Sequence, residues 1–286
     1  MARKNEEGGG GMYKDTIDKL NNMAVEKREL LDKSLVRYLV SACLAGAYVG
    51  LAVVLSFSLG GSISELSPPL ASLLLGLSFG IALVLIIFAG AELFTGNNMI
   101  FTVSTLSKAT TWKETAQNWA WCYLGNFMGA SLFCVLIFFS GVFSNIASDH
   151  FLMTVATYKM NLSTSEIFFR GILCNWLVCL AIWCTLRTKN DAAKIMMITW
   201  ILLTFIISGY EHSIANMAIL GLALIHPSPE TVTLAGYFSN LIPVTLGNIV
   251  GGTIFVGCLY WIISPQTVEK VEKKEVLVRK SIASIK

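Results

Sequence analysis

Apolar and polar positions divide this chain into six long apolar runs joined by short polar ones. Four of them, residues 38–59, 118–142, 167–186 and 239–263, have the length of a helix that crosses ~30 Å of hydrocarbon. The other two, residues 70–106 and 195–225, are too long for one straight span, and the first would exceed ~50 Å as a helix. Each over-long run carries polar residues inside it: Glu92, Thr95, Gly96, Asn97 and Asn98 in one, Gly209 to Ser213 in the other. A half-helix, an irregular segment and a second half-helix fit both runs. Irregular backbone at membrane depth is tolerated only where protein or a watery cavity satisfies it.

The two interruptions share one register. Gly90-x-Glu92-x4-Asn97 and Gly209-x-Glu211-x4-Asn216 both read G-x-E-x4-N. A carboxylate in a bilayer is costly unless paired or solvated, which makes intramembrane acids functional candidates. We read Glu92, Glu211, Asn97 and Asn216 as supports of the breaks, acceptors beside freed backbone N–H groups, and His212 as the proton-active group of a pore.

The repetition extends further. Asn118-x6-Gly125-Asn126-x2-Gly129 corresponds to Asn240-x6-Gly247-Asn248-x2-Gly251, and the break motif precedes these by 28 residues in one half and 31 in the other. Each half, residues 38–142 and 167–263, holds three spans. An odd number makes the second half enter the membrane from the opposite side, a pattern of channels and transporters with a site near the midplane. Gly129, Gly251 and Gly252 read as small-residue helix contacts. The fold class expected is an all-α polytopic membrane protein: six transmembrane helices as two inverted three-helix repeats, with helices 2 and 5 broken.

The flanks are polar. Residues 1–11 end in four glycines and read as a leader outside the fold. Residues 12–37 form an amphipathic N-terminal helix with Ile17, Leu20, Leu30, Leu31 and Leu35 on a stripe, read as an interfacial anchor in preference to a cover over a pore mouth. Residues 143–166 read as an external loop containing Asp149, His150 and Lys159, and Ser163-x-x-Glu166 at its end is a capping-box start signal. Residues 264–286 are a charged tail.

Composition agrees: 55% of the 286 residues are hydrophobic, 14% are charged, and mean hydropathy is +0.66, values that exclude an ordinary soluble domain. Charge adds orientation. Of 21 Lys and Arg, all but Lys159 and Arg170 lie on one side of this scheme, which puts both termini in the cytoplasm of a cell (inner) membrane protein. The seven cysteines all sit in apolar runs without a C-x-x-C pair and read as small core residues. No metal cluster or nucleophile–base spacing stands out, so neither an enzyme nor a cofactor, metal or nucleic-acid partner is expected.

Ala91-Glu-Leu-Phe-Thr-Gly96, Gly209-Tyr-Glu-His-Ser-Ile-Ala-Asn-Met217 and Cys174-Asn-Trp-Leu-Val-Cys-Leu-Ala-Ile-Trp183 resemble the formate/nitrite transporter family over roughly residues 37–263. Gly-Tyr-Glu-His, Ala45-Gly-Ala-Tyr-Val-Gly50 and Thr233-Leu-Ala-Gly236 are most similar to its nitrite-channel and hydrosulfide-channel branches. The resemblance implies an aquaporin-like protomer in a homopentamer within the lipid bilayer, one pore each, passing small monovalent anions or their conjugate acids. It places the family's pore histidine on His212, a vestibule lysine on Lys159, a break threonine on Thr95 and pore-facing amides on Asn175 and Asn248. Hydrophobic constrictions fall on Phe79, Leu83, Leu93 and Phe205. Glu92 departs from the Asp of many members, and Gly96-Asn97-Asn98 from their small residues.

The leading function is a passive, pH-sensitive channel for nitrite, hydrosulfide or formate. A proton-coupled secondary carrier on the same scaffold and a neutral-solute pore are the alternatives.

Overall fold

The computed structural model describes residues 11–144, 146 and 149–264; the leader and tail expected at residues 1–11 and 264–286 lie outside it but for their inner ends. Among the described residues ten helical elements follow one another: α1 (Gly11–Lys33), α2 (Leu35–Gly61), α3 (Pro68–Gly90), α4 (Phe94–Leu106), α5 (Trp112–Ser140), α6 (Phe151–Asn161), α7 (Thr164–Thr185), α8 (Asp191–Ile207), α9 (Ser213–Ile225) and α10 (Leu234–Ile263). Helices α2, α3, α5, α7 and α10 are each long and apolar enough to cross a membrane. The sixth apolar run is divided between α8 and α9, neither of which alone has that length.

Local chemistry sets where each span starts. Ser34 accepts the Arg37 amide ahead of α2, and Thr233 accepts the Gly236 amide ahead of α10. The Ser163/Glu166 box opens α7 as expected, and a second box, Thr111 with Glu114, opens α5. Each reciprocal bond satisfies helix N–H groups that have no intrahelical partner. Thr233 also explains why α10 starts ahead of residue 239: the apolar Leu234 to Phe238 continue the helix once the cap is in place.

Within each half the outer spans press together, α2 along α5 and α7 along α10. Their closeness requires glycine. A Cβ at Gly129 would collide with the carbonyl of Cys43, and one at Gly251 with that of Ile172; both sites sit at the same place in their repeat. The apolar surface left over faces outward, with Leu136, Phe139, Trp200 and Ile242 more than half exposed. In lipid such exposure carries no hydrophobic penalty, so close packing and hydrogen bonds hold the bundle.

The flanks differ from expectation. Residues 143–166 contain a helix, α6, which buries Leu152, Met153 and Ala156. Helix α1 does more than rest at an interface: Ile17, Leu20 and Ala24 are buried, Leu30 and Leu31 pack on the core, and the helix lies against α4. Leu35 falls outside this stripe; it opens α2 and is exposed. Each repeat therefore has a packed helix before its first span, 23 residues long in one and 11 in the other. Leu20 and Ala24 of α1 match Leu152 and Ala156 of α6, all four with no exposed surface.

Candidate pore and helix breaks

Both over-long runs are broken, at residues 91–93 and 210–212, and the two breaks are built alike. Each opens on a left-handed glycine, Gly90 (φ 80°) and Gly209 (φ 69°). The next amide closes a wide turn, Ala91 N to Ile86 O (3.1 Å) and Tyr210 N to Phe205 O (3.0 Å). The glutamate amide then donates sideways to the first span of its repeat, Glu92 N to Ser41 O and Glu211 N to Arg170 O, both 3.3 Å.

An asparagine from the last span of each repeat satisfies the rest. Asn126 Oδ1 accepts the Phe94 amide at 2.9 Å, and its Nδ2 donates to the Glu92 and Ala42 carbonyls, each at 2.8 Å. Asn248 Oδ1 accepts the Ser213 amide at 2.8 Å, and its Nδ2 donates to the carbonyls of Glu211 (3.0 Å) and Gly171 (2.8 Å). Buried backbone groups left unpaired by a break would each cost on the order of 1–3 kcal/mol; one amide side chain covers two of them and ties the break to a helix carbonyl of the first span.

The carboxylates follow the same plan. Glu92 binds Lys27 Nζ of α1 at 2.6 Å and Asn97 Nδ2 at 3.0 Å, and Asn97 also donates to Asn118 Oδ1 at 3.1 Å. Glu211 binds Lys159 Nζ of α6 at 2.8 Å and Asn216 Nδ2 at 2.6 Å, and Asn216 donates to Asn240 Oδ1 at 2.7 Å. Lys159 is thus no free surface cation: its side chain is 13% exposed and its ammonium is held by Glu211. Lys27 escaped the sequence reading. The signal was present, since Leu20-x3-Ala24-x2-Lys27 recurs as Leu152-x3-Ala156-x2-Lys159. It was lost among the many cations ahead of the first span.

Between the breaks lies a narrow apolar cavity of about 10 Å³, the space of one water molecule. Phe79, Leu83, Leu93 and Phe205 line it together with His212, and Ala82, Ile86, Val178 and Leu202 complete its wall. The Phe79 and Phe205 rings meet edge-on at 5.7 Å, and Phe205 lies nearly parallel to the His212 ring at 6.2 Å. Leu93 and His212 are equivalent residues. Each follows its glutamate and caps the second half-helix with nearly the same backbone angles (φ −102°, ψ 123° and φ −110°, ψ 118°).

His212 is 4% exposed and reaches across to the other repeat, where its Nε2 lies 3.1 Å from Thr95 Oγ1. Its Nδ1 accepts the Ala215 amide at 3.1 Å. That bond leaves the proton of the neutral ring on Nε2, so the ring donates to Thr95. Asn175 and Asn248 do not line this cavity. Asn175 Nδ2 donates to the Thr95 carbonyl (3.1 Å), Asn98 Oδ1 (3.1 Å) and the Asn248 carbonyl (2.6 Å), tying both breaks to α7. A larger cavity of about 290 Å³ opens on the α1 side, lined by Met23, Glu26, Lys27, Leu30 and Glu92. Among the described residues no group of three His, Cys, Asp or Glu side chains is placed to hold a metal ion.

Two half-helices meeting inside an inverted repeat around a lined constriction define an integral membrane transport protein. The chain belongs to the formate/nitrite transporter family: the profile described as Formate/nitrite transporter matches residues 14–262. It is 42% identical over 268 residues to the nitrite transporter NirC of Escherichia coli (strain K12), covering 92% of this chain and 97% of that one. Among solved structures, an FNT family ion channel matches with a TM-score of 0.85 at 39% identity, covering 88% of this chain and 100% of that one. A pentameric formate channel with formate bound matches at 0.70 and 30%, covering 81% and 98%.

Proposed function

We propose that this chain forms a passive, pH-sensitive pore for small monovalent anions or their conjugate weak acids, with His212 as the group that donates to the permeant. The observation that carries this reading is the position of His212, the polar member of an otherwise apolar constriction, held by Thr95 from the opposite repeat. Stripping an anion of water is the main barrier in such a place, idealised at ~20 kcal/mol for full transfer to low dielectric. A hydrogen bond or proton from Nε2, turned from Thr95 to the permeant, together with the positive N-terminal ends of the α4 and α9 dipoles, lowers it. Phe79, Leu83, Leu93 and Phe205 keep out hydrated cations, and Lys159 neutralises Glu211 at the second break, removing a negative charge that would repel an approaching anion. Glu92, Glu211, Asn97, Asn216, Asn175 and Asn248 hold the breaks in shape.

Nitrite and formate follow from the names of the similar proteins; hydrosulfide rests on the Gly209-Tyr-Glu-His motif. The similar pentameric channel supports a homopentamer, and the distribution of Lys and Arg supports cytoplasmic termini in an inner membrane. Reconstituted liposomes test the reading. Nitrite or formate flux should reverse at the Nernst potential and vary with pH, and His212→Asn should flatten the pH dependence while the oligomer stays intact. Strict coupling of one proton per anion would replace the pore with a proton-coupled carrier. A folded His212→Asn variant with the original pH profile would remove the donor role.

A further inference from the structure

The recurring Leu-x3-Ala-x2-Lys segments align α1 with α6, and the residue just before the lysine differs: Glu26 in α1, Tyr158 in α6. Tyr158 Oη accepts from Arg170 Nη1 at 2.9 Å, so that rim gains a guanidinium beside Lys159. Arg170 also meets Glu166 at 3.8 Å. Glu26 makes no ion pair or hydrogen bond among the described residues, is exposed, and lines the 290 Å³ cavity that leads to Glu92. Lys27, the cation of that cavity, is already bound to Glu92 at 2.6 Å. The neighbouring Arg28 is engaged by Glu114 at 3.4 Å and Asp32 at 3.8 Å. With Lys27 paired to Glu92, the charge carried by the lining of this cavity itself is therefore the negative one of Glu26.

We propose that Glu26 repels anions from the α1 mouth, so that at low ionic strength it lowers anion entry from that side and leaves entry from the α6 side unaffected. The inference rests on the anion-pore reading above and adds a direction to it. A charge lining a cleft changes the local concentration of a mobile ion through the field that low-dielectric walls focus. The effect belongs to the approach to the constriction and not to the constriction itself, so it depends on salt. At ~10 mM the screening length is ~30 Å and spans the vestibule, whereas at ~1 M it falls to ~3 Å.

The test is anion current through full-length protein in a planar bilayer, with orientation read by a membrane-impermeant label. Glu26→Gln and Glu26→Lys are compared with the unaltered chain under nitrite or formate gradients of both directions. At about 10 mM, Glu26→Gln should raise current carried by anions arriving at the α1 side by about two- to five-fold, Glu26→Lys should raise it more, and current from the other side should stay unchanged. At about 1 M the three proteins should coincide. Equal changes in both directions, no change at low salt, or a difference that persists at high salt would each overturn the proposal. Absence of anion current in the unaltered chain would instead strike the pore reading, and this inference with it.

Discussion

The two helix breaks share a scaffold and differ in their chemistry. Left-handed glycine, sideways glutamate amide, bridging asparagine and lysine-bound carboxylate recur at both. At the cap of the second half-helix, however, the first break presents Leu93 and the second His212. Two positions further on the polarity reverses, with Thr95 in the first and Ile214 in the second. The pseudo-two-fold arrangement therefore supports two identical turns and brings one polar pair, Thr95 and His212, together across it. Symmetry supplies the frame, and its local violation supplies a single hydrogen-bonding site in an apolar wall.

The largest test of this comparison concerns the ion pairs. Removing one partner of a buried pair costs about 3–5 kcal/mol, because the other charge is left uncompensated. Glu211 is more enclosed than Glu92, with 2% against 10% of its side chain exposed. Lys27 opens onto the 290 Å³ cavity, and Glu92 has an additional neighbour in the Tyr38 hydroxyl at 3.4 Å. We therefore expect Glu211→Ala to lower the thermal unfolding temperature of purified oligomer more than Glu92→Ala. Glu211→Gln combined with Lys159→Met should recover most of that loss, since a neutral replacement of a buried pair is often tolerated. Equal losses for both glutamates would mean that the two mouths are equally dry.

A second comparison concerns the bridging amides. Asn126→Ala and Asn248→Ala each strand one N–H and one carbonyl of the break and remove an extra donor from a helix carbonyl of the neighbouring span, a loss on the order of 2–6 kcal/mol in total. The same melting assay should show losses of similar size if the breaks are truly equivalent. Asn248 would lose more if the Asn175 bond to its carbonyl, 2.6 Å long, is strained by the change.

Much of this architecture was readable in the residues because the bilayer is a strict reader of sequence. Spans must be long, apolar and internally hydrogen-bonded, so the over-long runs and the polar residues inside them exposed the breaks directly. Helix α6 escaped for the opposite reason: eleven residues containing Thr154, Thr157 and Lys159 are too short and too polar to stand out from a loop. Its relation to α1 becomes visible only when Lys27 and Lys159 are aligned. The gap from each lysine to the serine capping the next span differs, Lys27 to Ser34 against Lys159 to Ser163, which hides the register. Asn175 was misleading in another way. It looks like any polar residue on an apolar helix, and only the fold brings the Thr95 and Asn248 carbonyls to its amide.

The smallest expected effects separate backbone from surroundings at the two glycines. Any L-residue at Gly90 or Gly209 must adopt a positive φ, at about 1–2 kcal/mol. At Gly90 a Cβ would meet nothing within 4 Å, so Gly90→Ala isolates that backbone cost. At Gly209 the same Cβ would lie 3.6 Å from Arg170 Nη1, an ordinary contact, but that nitrogen also donates to the Gly209 carbonyl at 3.3 Å. A small shift of the strained residue would therefore disturb a hydrogen bond in the second break that the first break lacks. Gly209→Ala should cost slightly more stability than Gly90→Ala, and Asn, which tolerates the left-handed region, should recover part of both losses. If Arg170→Gln erases the difference between the two alanine variants, the excess comes from the guanidinium. If the difference survives, the two turns are unequal in their own backbone, and the equivalence of the breaks ends at that glycine.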